Sequence, residues 1–99
     1  MTSVLGLKVN KKDNVAVVFS EEAKIGVELY VRDHKGDIQV IKLKSDIPYG
    51  HKVAVKPIKI GEPIIKYGEE IGVATINIET GEHTHVHNLD SQRSRGDKN

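Results

Sequence analysis

Apolar residues in this chain come in short runs, which glycine, proline and polar residues interrupt every few positions. The apolar run at residues 15–19 has the length of a buried strand, while the helical signal after Ser20 ends within one turn, at Gly26. Val and Ile dominate the apolar positions, as is typical of strands. The pattern therefore predicts an all-β domain of about seven short strands joined by hairpins.

One hairpin stands out from the pattern. Residues 27–33 and 37–43 flank the turn His34-Lys35-Gly36, which predicts two antiparallel strands with Gly36 in the left-handed conformation. Alternation alone leaves open which face of this hairpin is buried. Farther along, residues 58–62 recur with one insertion as residues 76–82, and each copy leads through a glycine turn into a new strand. Two copies predict duplicated hairpins and are too few for a solenoid.

Composition narrows the class of protein. The 99 residues fit one domain, and with 37% apolar but only 4% aromatic residues its core must be aliphatic. A net charge of +1 gives no electrostatic case for nucleic acid. The absence of cysteine excludes disulfides and thiolate metal sites within the chain. No run approaches the ~20 apolar residues of a membrane span and no signal peptide is visible, so a soluble cytoplasmic protein is expected.

The domain is predicted to cover residues 1–89. Residues 90–99 are polar and are expected to be a disordered tail. A small β domain with exposed strand edges is also expected to be able to associate with a second copy of itself.

Three of the five histidines alternate along the chain as His83, His85 and His87. If this segment is a strand, the three imidazoles share one face, spaced by roughly 6.5 to 7 Å, and Thr84 and Val86 share the other. Such a face could bind a divalent metal through neutral imidazoles or contact an anionic substrate. It could equally be a solvated strand face that is rich in histidine. The sequence alone leaves these alternatives open.

Two other places carry polar side chains beside a turn. His51 and Lys52 follow Gly50 at the start of a strand, where they could act as an acid, a base or an anion contact. Lys66 precedes another turn, where it could hold a carboxylate as a point charge. Ordinary solvated turn residues account for both patterns as well.

Five segments, in an order and spacing that is specific as a set, resemble the small SAF-type (β-clip) domain of the altronate and galactarate dehydratase family. The alpha subunit of sulfolactate sulfo-lyase belongs to the same group. The segments lie at residues 13–17, 47–54, 61–69, 71–74 and 81–88.

The resemblance implies a twisted β-clip fold that works with a much larger catalytic domain, either fused or supplied as a separate subunit. The implied reaction removes water from a hydroxylated sugar acid, altronate being the first expectation, or removes sulfite from sulfolactate. It also implies a divalent metal, iron(II) above all, held mainly by the large subunit. Since the chain ends just past Asn88, we expect a separately encoded small subunit that is inactive alone. The alternative from another class is a non-catalytic module that binds a carboxylated sugar or a divalent metal.

The family pattern also implies roles for individual residues. His51, His85 and His87 are the expected catalytic residues, and His83 joins His85 and His87 as the expected metal ligands. The expected substrate-binding residues are Lys52, Lys66 and Asn88.

Overall fold

A computed structural model describes residues 4–91, which form nine strands in two sheets. The strands are β1 (Val4–Leu7), β2 (Val15–Val18), β3 (Glu28–Arg32), β4 (Ile38–Lys42), β5 (Lys52–Ala54), β6 (Pro63–Lys66), β7 (Glu69–Ala74), β8 (His83–Thr84) and β9 (Leu89–Ser91). One sheet has the order β4-β3-β1-β2-β5-β8 and the other β6-β7-β9. The all-β prediction is confirmed. The predicted count of about seven strands is too low, because a strand as short as β9, with three residues, produces no alternation pattern.

The predicted hairpin is present as β3 and β4, which pair antiparallel. Gly36 in its turn has a φ of 90°, as predicted. Ile41 of β4 is buried, whereas Ile38 and Val40 are exposed on the opposite face. The structure thus answers the question that alternation left open: one face of the hairpin packs on the core, and the other is an open apolar surface.

The internal repeat forms two similar turns that face each other. Ile58 and Ile78 exchange two backbone hydrogen bonds, of 2.9 and 2.7 Å. Three residues later in each copy, Gly61 and Gly81 take positive φ angles of 86° and 94°. In both turns the next residue, a glutamate, accepts a hydrogen bond from the backbone N–H three residues before it. Ile58 and Ile78 are separated by the same number of residues as Gly61 and Gly81. The two copies therefore align without a gap, and the predicted insertion is wrong.

The core is aliphatic, as predicted, and it consists of two buried clusters. The larger, which includes Leu29 and Val53, packs against the six-stranded sheet. The smaller, which includes Ile64 and Ile78, lies where β5, β6 and β7 approach one another. Strand β2 contributes to both clusters because its alternate residues point to opposite faces.

Two buried polar residues, Asp13 and Asn14, join the two sheets. The Asp13 carboxylate accepts hydrogen bonds from the backbone N–H groups of Val9, Asn10 and Gly68, at 3.1, 3.0 and 2.7 Å. The Asn14 side chain bonds two main-chain groups of β6, at 2.8 and 2.7 Å. Buried polar groups are stable only when they are paired in this way. These residues of the first family-like segment therefore have a structural role.

Strand β9 pairs with β7 and extends two residues beyond the predicted domain boundary at residue 89. The rest of the predicted tail, residues 92–99, lies outside the described residues. No helix in residues 4–91 could cross a membrane.

Candidate functional site

Strand pairing brings His51 and His83 together at one edge of the six-stranded sheet. Strand β8 pairs antiparallel with β5 and places His83 opposite Val53. Because alternate residues of a strand share a face, His51 lies on the same side as Val53 and His83. The backbone N–H of His51 donates to the carbonyl of Pro48 at 3.0 Å, which fixes the turn that leads into β5. Two histidines that are distant in sequence thereby become neighbours.

The prediction that one strand runs from His83 to His87 is wrong beyond Thr84. Strand β8 ends there, and the chain turns through residues 85–88. Asn88 Oδ1 accepts the N–H of His85 at 3.0 Å, and its Nδ2 donates to the carbonyl of His83 at 2.9 Å. Asparagine side chains that bond nearby backbone groups favour turns over strands. Thr84 is therefore buried while Val86 is 79% exposed, so these two residues do not share a face as predicted.

The turn still keeps the imidazoles close to one another. His51 Nδ1 lies 2.9 Å from His83 Nε2, and the ring centroids of His51 and His85 are 4.5 Å apart. The rings of His83 and His85 are within 9° of parallel. One nitrogen of each of these three residues lies within 4.8 Å of the others, and we call His51, His83 and His85 the histidine trio. The ring of His87 lies outside the trio, with its centroid 5.2 Å from that of His83.

Burial and neighbouring positive charge favour neutral imidazoles at His83 and His85. Desolvation, followed by repulsion from the other histidines and from Lys52, lowers the pKa of His83 to about 4. Desolvation and repulsion from His51, Lys52 and His87 also lower the pKa of His85. His83 is therefore uncharged near pH 7. A neutral imidazole offers a lone pair on one nitrogen, which is the form that binds metal ions.

Lys52 adds positive charge near the trio, and Lys66 in turn acts on Lys52. Lys52 lies on β5 and points to the face opposite His83, where burial and repulsion from Lys66 lower its pKa. Lys66 ends β6, and its Nζ lies 5.0 Å from the centre of the Tyr67 ring. Within residues 4–91, the charged groups that shift the pKa values of Lys52, His83 and His85 are all basic. This electrostatic environment favours an anionic ligand.

The donor set fits a divalent transition metal. Imidazole nitrogens suit Zn, Cu, Fe and Ni, whereas Mg and Ca prefer oxygen ligands. Three protein ligands leave positions open for water or substrate, as in catalytic metal sites. A metal ion would replace the present hydrogen bond between His51 and His83. The positive charge of Lys52, which acts on both His83 and His85, favours an anionic ligand at such a metal.

The structure brings most of the predicted site residues together, but in a different grouping. His51 completes the trio where the sequence predicted His87. The residue just before β5 supplies this third imidazole, and sequence spacing carries no sign of the pairing between β5 and β8. The amide of Asn88 is already bonded to the turn, so its direct effect is on the positions of His83 and His85. The catalytic and substrate-binding roles stay predictions.

The fold and the trio define a small all-β domain with one histidine-lined site. The family model for the altronate/galactarate dehydratase SAF domain matches residues 4–92. The chain belongs to this family.

Curated relatives fall into two kinds. Altronate dehydratase of Bacillus subtilis is 38% identical over 88 residues, which are 89% of this chain but 16% of that protein. The alpha subunit of (2R)-sulfolactate sulfo-lyase from Chromohalobacter salexigens is 39% identical over 83 residues, which are 82% of this chain and 87% of that subunit. The same subunit from Paracoccus pantotrophus is 50% identical over 50 residues, half of this chain and 75% of that subunit. The chain therefore spans only about one sixth of the altronate dehydratase that it matches.

Proposed function

We propose that this chain is the small subunit of a cytoplasmic sugar-acid dehydratase and that it works with a separate large catalytic chain. Altronate is the first candidate substrate. The observation that carries the proposal is the histidine trio, with Lys52 near it, in a chain of the dehydratase SAF-domain family.

Dehydration of a sugar acid is an elimination across two neighbouring carbons. A base takes the proton from the carbon next to the carboxylate, and the hydroxyl on the following carbon takes up a proton and leaves as water. The electron pair of the broken C–H bond forms a carbon–carbon double bond, and the resulting enol becomes a 2-keto acid. Negative charge develops towards the carboxylate during this step, so fixed positive charge beside it lowers the barrier.

In this proposal Lys52 and Lys66 hold the substrate carboxylate. Each ammonium is a compact positive charge on a flexible stem, which can follow the carboxylate as the substrate binds. Lys52 is partly buried, and a charge contact in a partly desolvated place is stronger than one in bulk water. Asn88 acts indirectly, since its amide fixes the turn that carries His85.

The trio His51, His83 and His85 would hold a divalent metal, with iron(II) as the first candidate. When bound, the metal supplies Lewis-acid polarisation of the substrate oxygens. His87 lies beside the trio and outside it, so its imidazole is free to carry a proton between the leaving hydroxyl and solvent. The large chain supplies the remaining metal ligands in this proposal.

We assign the base that removes the carbon-bound proton to the large chain. Within residues 4–91, no carboxylate is among the groups that shift the pKa values of His83 and His85, so this domain offers no evident carboxylate base at the trio. Among the relatives, one kind carries the matching domain within a much longer chain and the other is named as a subunit. Both arrangements are consistent with a site that two parts of an enzyme complete.

Reconstitution tests this function. The full chain would be mixed with the large dehydratase or sulfo-lyase chain encoded in the same genome, loaded anaerobically with iron(II), and assayed separately on altronate and on sulfolactate. We expect 2-keto acid from altronate only when both chains are present. A stable complex that acts on neither substrate would contradict the assignment as an enzyme subunit.

The second candidate is the alpha subunit of (2R)-sulfolactate sulfo-lyase. The match of this chain to 87% of the Chromohalobacter salexigens subunit favours it. Release of sulfite from sulfolactate, with no reaction of altronate, would select it. Binding of the acids or the metal by this chain without a catalytic partner would instead select a non-catalytic binding module.

A further inference from the structure

The aromatic residues of this chain all lie at its surface. Phe19, Tyr30, Tyr49 and Tyr67 are each more than a third exposed, and the buried core is entirely aliphatic. Folding normally buries large aromatic rings because they remove much apolar area from water. Exposed aromatic residues are instead enriched where one protein binds another.

Two of these rings belong to a continuous apolar surface on the six-stranded sheet. Strand register places Tyr30 beside Leu5 on one side and beside Val40 on the other, and Phe19 donates its backbone N–H to the carbonyl of Leu5. With Ile38, these residues form what we call the outer face: Leu5, Phe19, Tyr30, Ile38 and Val40. Their exposed fractions run from 39% to 57%. An exposed apolar patch made of several neighbouring residues marks an interaction site in soluble proteins.

The outer face contains a groove that is lined in part by the positively charged Arg32. A groove of about 390 Å³ runs along it, lined mainly by side chains of β1 and β3 together with Phe19 and Ile38. Arg32 is one of the residues that line this groove, and in residues 4–91 its guanidinium has no ion-pair partner. Guanidinium groups bind carboxylates in a planar, two-point arrangement. A ligand that fits this groove is therefore apolar, with a carboxylate near Arg32.

The outer face reaches the histidine site. The rings of Phe19 and Tyr49 pack edge to face, with their centroids 6.1 Å apart. Tyr49 precedes His51 by two residues, and the N–H of Gly50 between them donates to the carbonyl of Val18. A molecule that covers the outer face up to Tyr49 would therefore contact the turn that leads into His51 at the edge of the sheet.

We infer that the outer face is the surface on which the large catalytic chain docks, and that docking brings the large chain to the edge of the histidine trio. The inference rests on the proposed function. In the Bacillus subtilis relative the matching sequence is 16% of a single chain, so most of that protein is available to cover such a face. The proposed contact with the large chain extends from the apolar groove to the turn before His51. A large chain bound there could complete the active site.

A matched pair of double variants tests the inference by sedimentation velocity of the full chain with the large chain encoded in the same genome. Ile38→Thr with Val40→Thr reduces the outer face, and threonine keeps the β-branched shape that suits a strand. Ile60→Thr with Ile76→Thr is the control, because these residues are similarly exposed but lie away from the outer face. We expect the dissociation constant to rise about tenfold or more for the first pair and by less than about twofold for the control.

The outcomes separate this inference from the proposed function. Equal binding by both double variants would overturn the docking face, while activity of the reconstituted complex would leave the function intact. Weaker binding by the outer-face variant, with no elimination by the wild-type complex, would support docking and contradict the function. Failure of the wild-type chain to bind the large chain would overturn both. A homodimer that the outer-face variant abolishes would identify a second copy as the occupant and overturn the inference.

Discussion

His51 Nδ1 and His83 Nε2 lie 2.9 Å apart and join the start of β5 to β8. In this contact one imidazole donates a proton and the other accepts it, so at least one nitrogen has a lone pair that faces its neighbour. With His85 beside both rings, the contact forms the centre of a nitrogen-donor site.

The first prediction concerns which histidines bind the metal. Replacing His51 by alanine removes a member of the trio, whereas replacing His87 removes a ring that lies beside it. We expect the loss of His51 to weaken Co²⁺ binding by about tenfold or more, and the loss of His87 to weaken it less. The absorption of bound Co²⁺ in a titration of the metal-free protein measures both affinities. If His87→Ala weakens Co²⁺ binding more than His51→Ala does, the metal ligands are His83, His85 and His87, as the sequence predicted.

The second prediction is the titration of His83 in the metal-free protein. Its folded-state pKa of about 4 is below the ordinary value of 6.5, so the unfolded chain binds a proton here more readily than the folded one. This stabilising contribution is complete above pH 6.5 and is lost as the pH falls towards 4. Proton-detected NMR of the ring should therefore give a midpoint near 4, and His83→Asn should make stability less dependent on pH in this range. A midpoint near 6.5 would contradict the desolvation that we assign to His83.

The third prediction concerns the turn that carries His85. Asn88→Ala removes both hydrogen bonds of a buried amide and leaves the His85 N–H and the His83 carbonyl without that partner. We expect unfolding to become easier by about 1–3 kcal/mol and Co²⁺ affinity to fall as well. Asn77→Ala is the control, since its exposed side chain accepts one hydrogen bond, from the N–H of Ile60. Denaturant unfolding compares the two, and equal losses would argue against a special role of Asn88.

The fourth prediction uses the two glycines of the internal repeat. Both have positive φ, so alanine strains the backbone at either position, by about 1 kcal/mol. A Cβ at Gly61 would meet nothing within 4 Å, whereas a Cβ at Gly81 would lie 2.5 Å from the carbonyl oxygen of Lys42. Gly81→Ala should therefore lower the thermal midpoint clearly more than Gly61→Ala. Similar midpoints would mean that β4 and the second turn are not packed as closely as described.

The fifth prediction concerns substrate binding by Lys52 in the reconstituted enzyme. Lys52→Met keeps the stem and removes the charge, so the Michaelis constant for altronate should rise while the complex still assembles. Lys24→Met, at an exposed position, is the matched control. It should change neither the Michaelis constant for altronate nor the assembly of the complex. Steady-state kinetics at several substrate concentrations measures the difference. An unchanged Michaelis constant for Lys52→Met would remove this residue from the site.

Local sequence patterns predicted the fold well. The site was harder to predict, because it depends on the pairing of strands that are distant in sequence. The apolar runs and Gly36 indicated the strands and the β3–β4 hairpin because these features depend on neighbours in sequence. The alternation of His83, His85 and His87 suggested a strand, but the buried amide of Asn88 determines a turn instead. His51 joins His83 only through the pairing of β5 with β8, which no local pattern encodes.

The role of buried polar groups was equally hidden. The sequence around Asp13 gives no sign that its carboxylate accepts hydrogen bonds from three backbone N–H groups, one of them from the distant Gly68. Alternation also could not tell which face of β4 is buried, since both of its faces carry apolar residues.

The most direct test of the account is turnover of altronate by the reconstituted two-chain enzyme with His51→Ala in the small chain. We predict that the variant binds the large chain as the wild type does, while kcat falls by about a hundredfold or more, because the trio loses one of its three imidazoles. Full turnover by a stable complex that contains His51→Ala would contradict the claim that the trio serves the elimination.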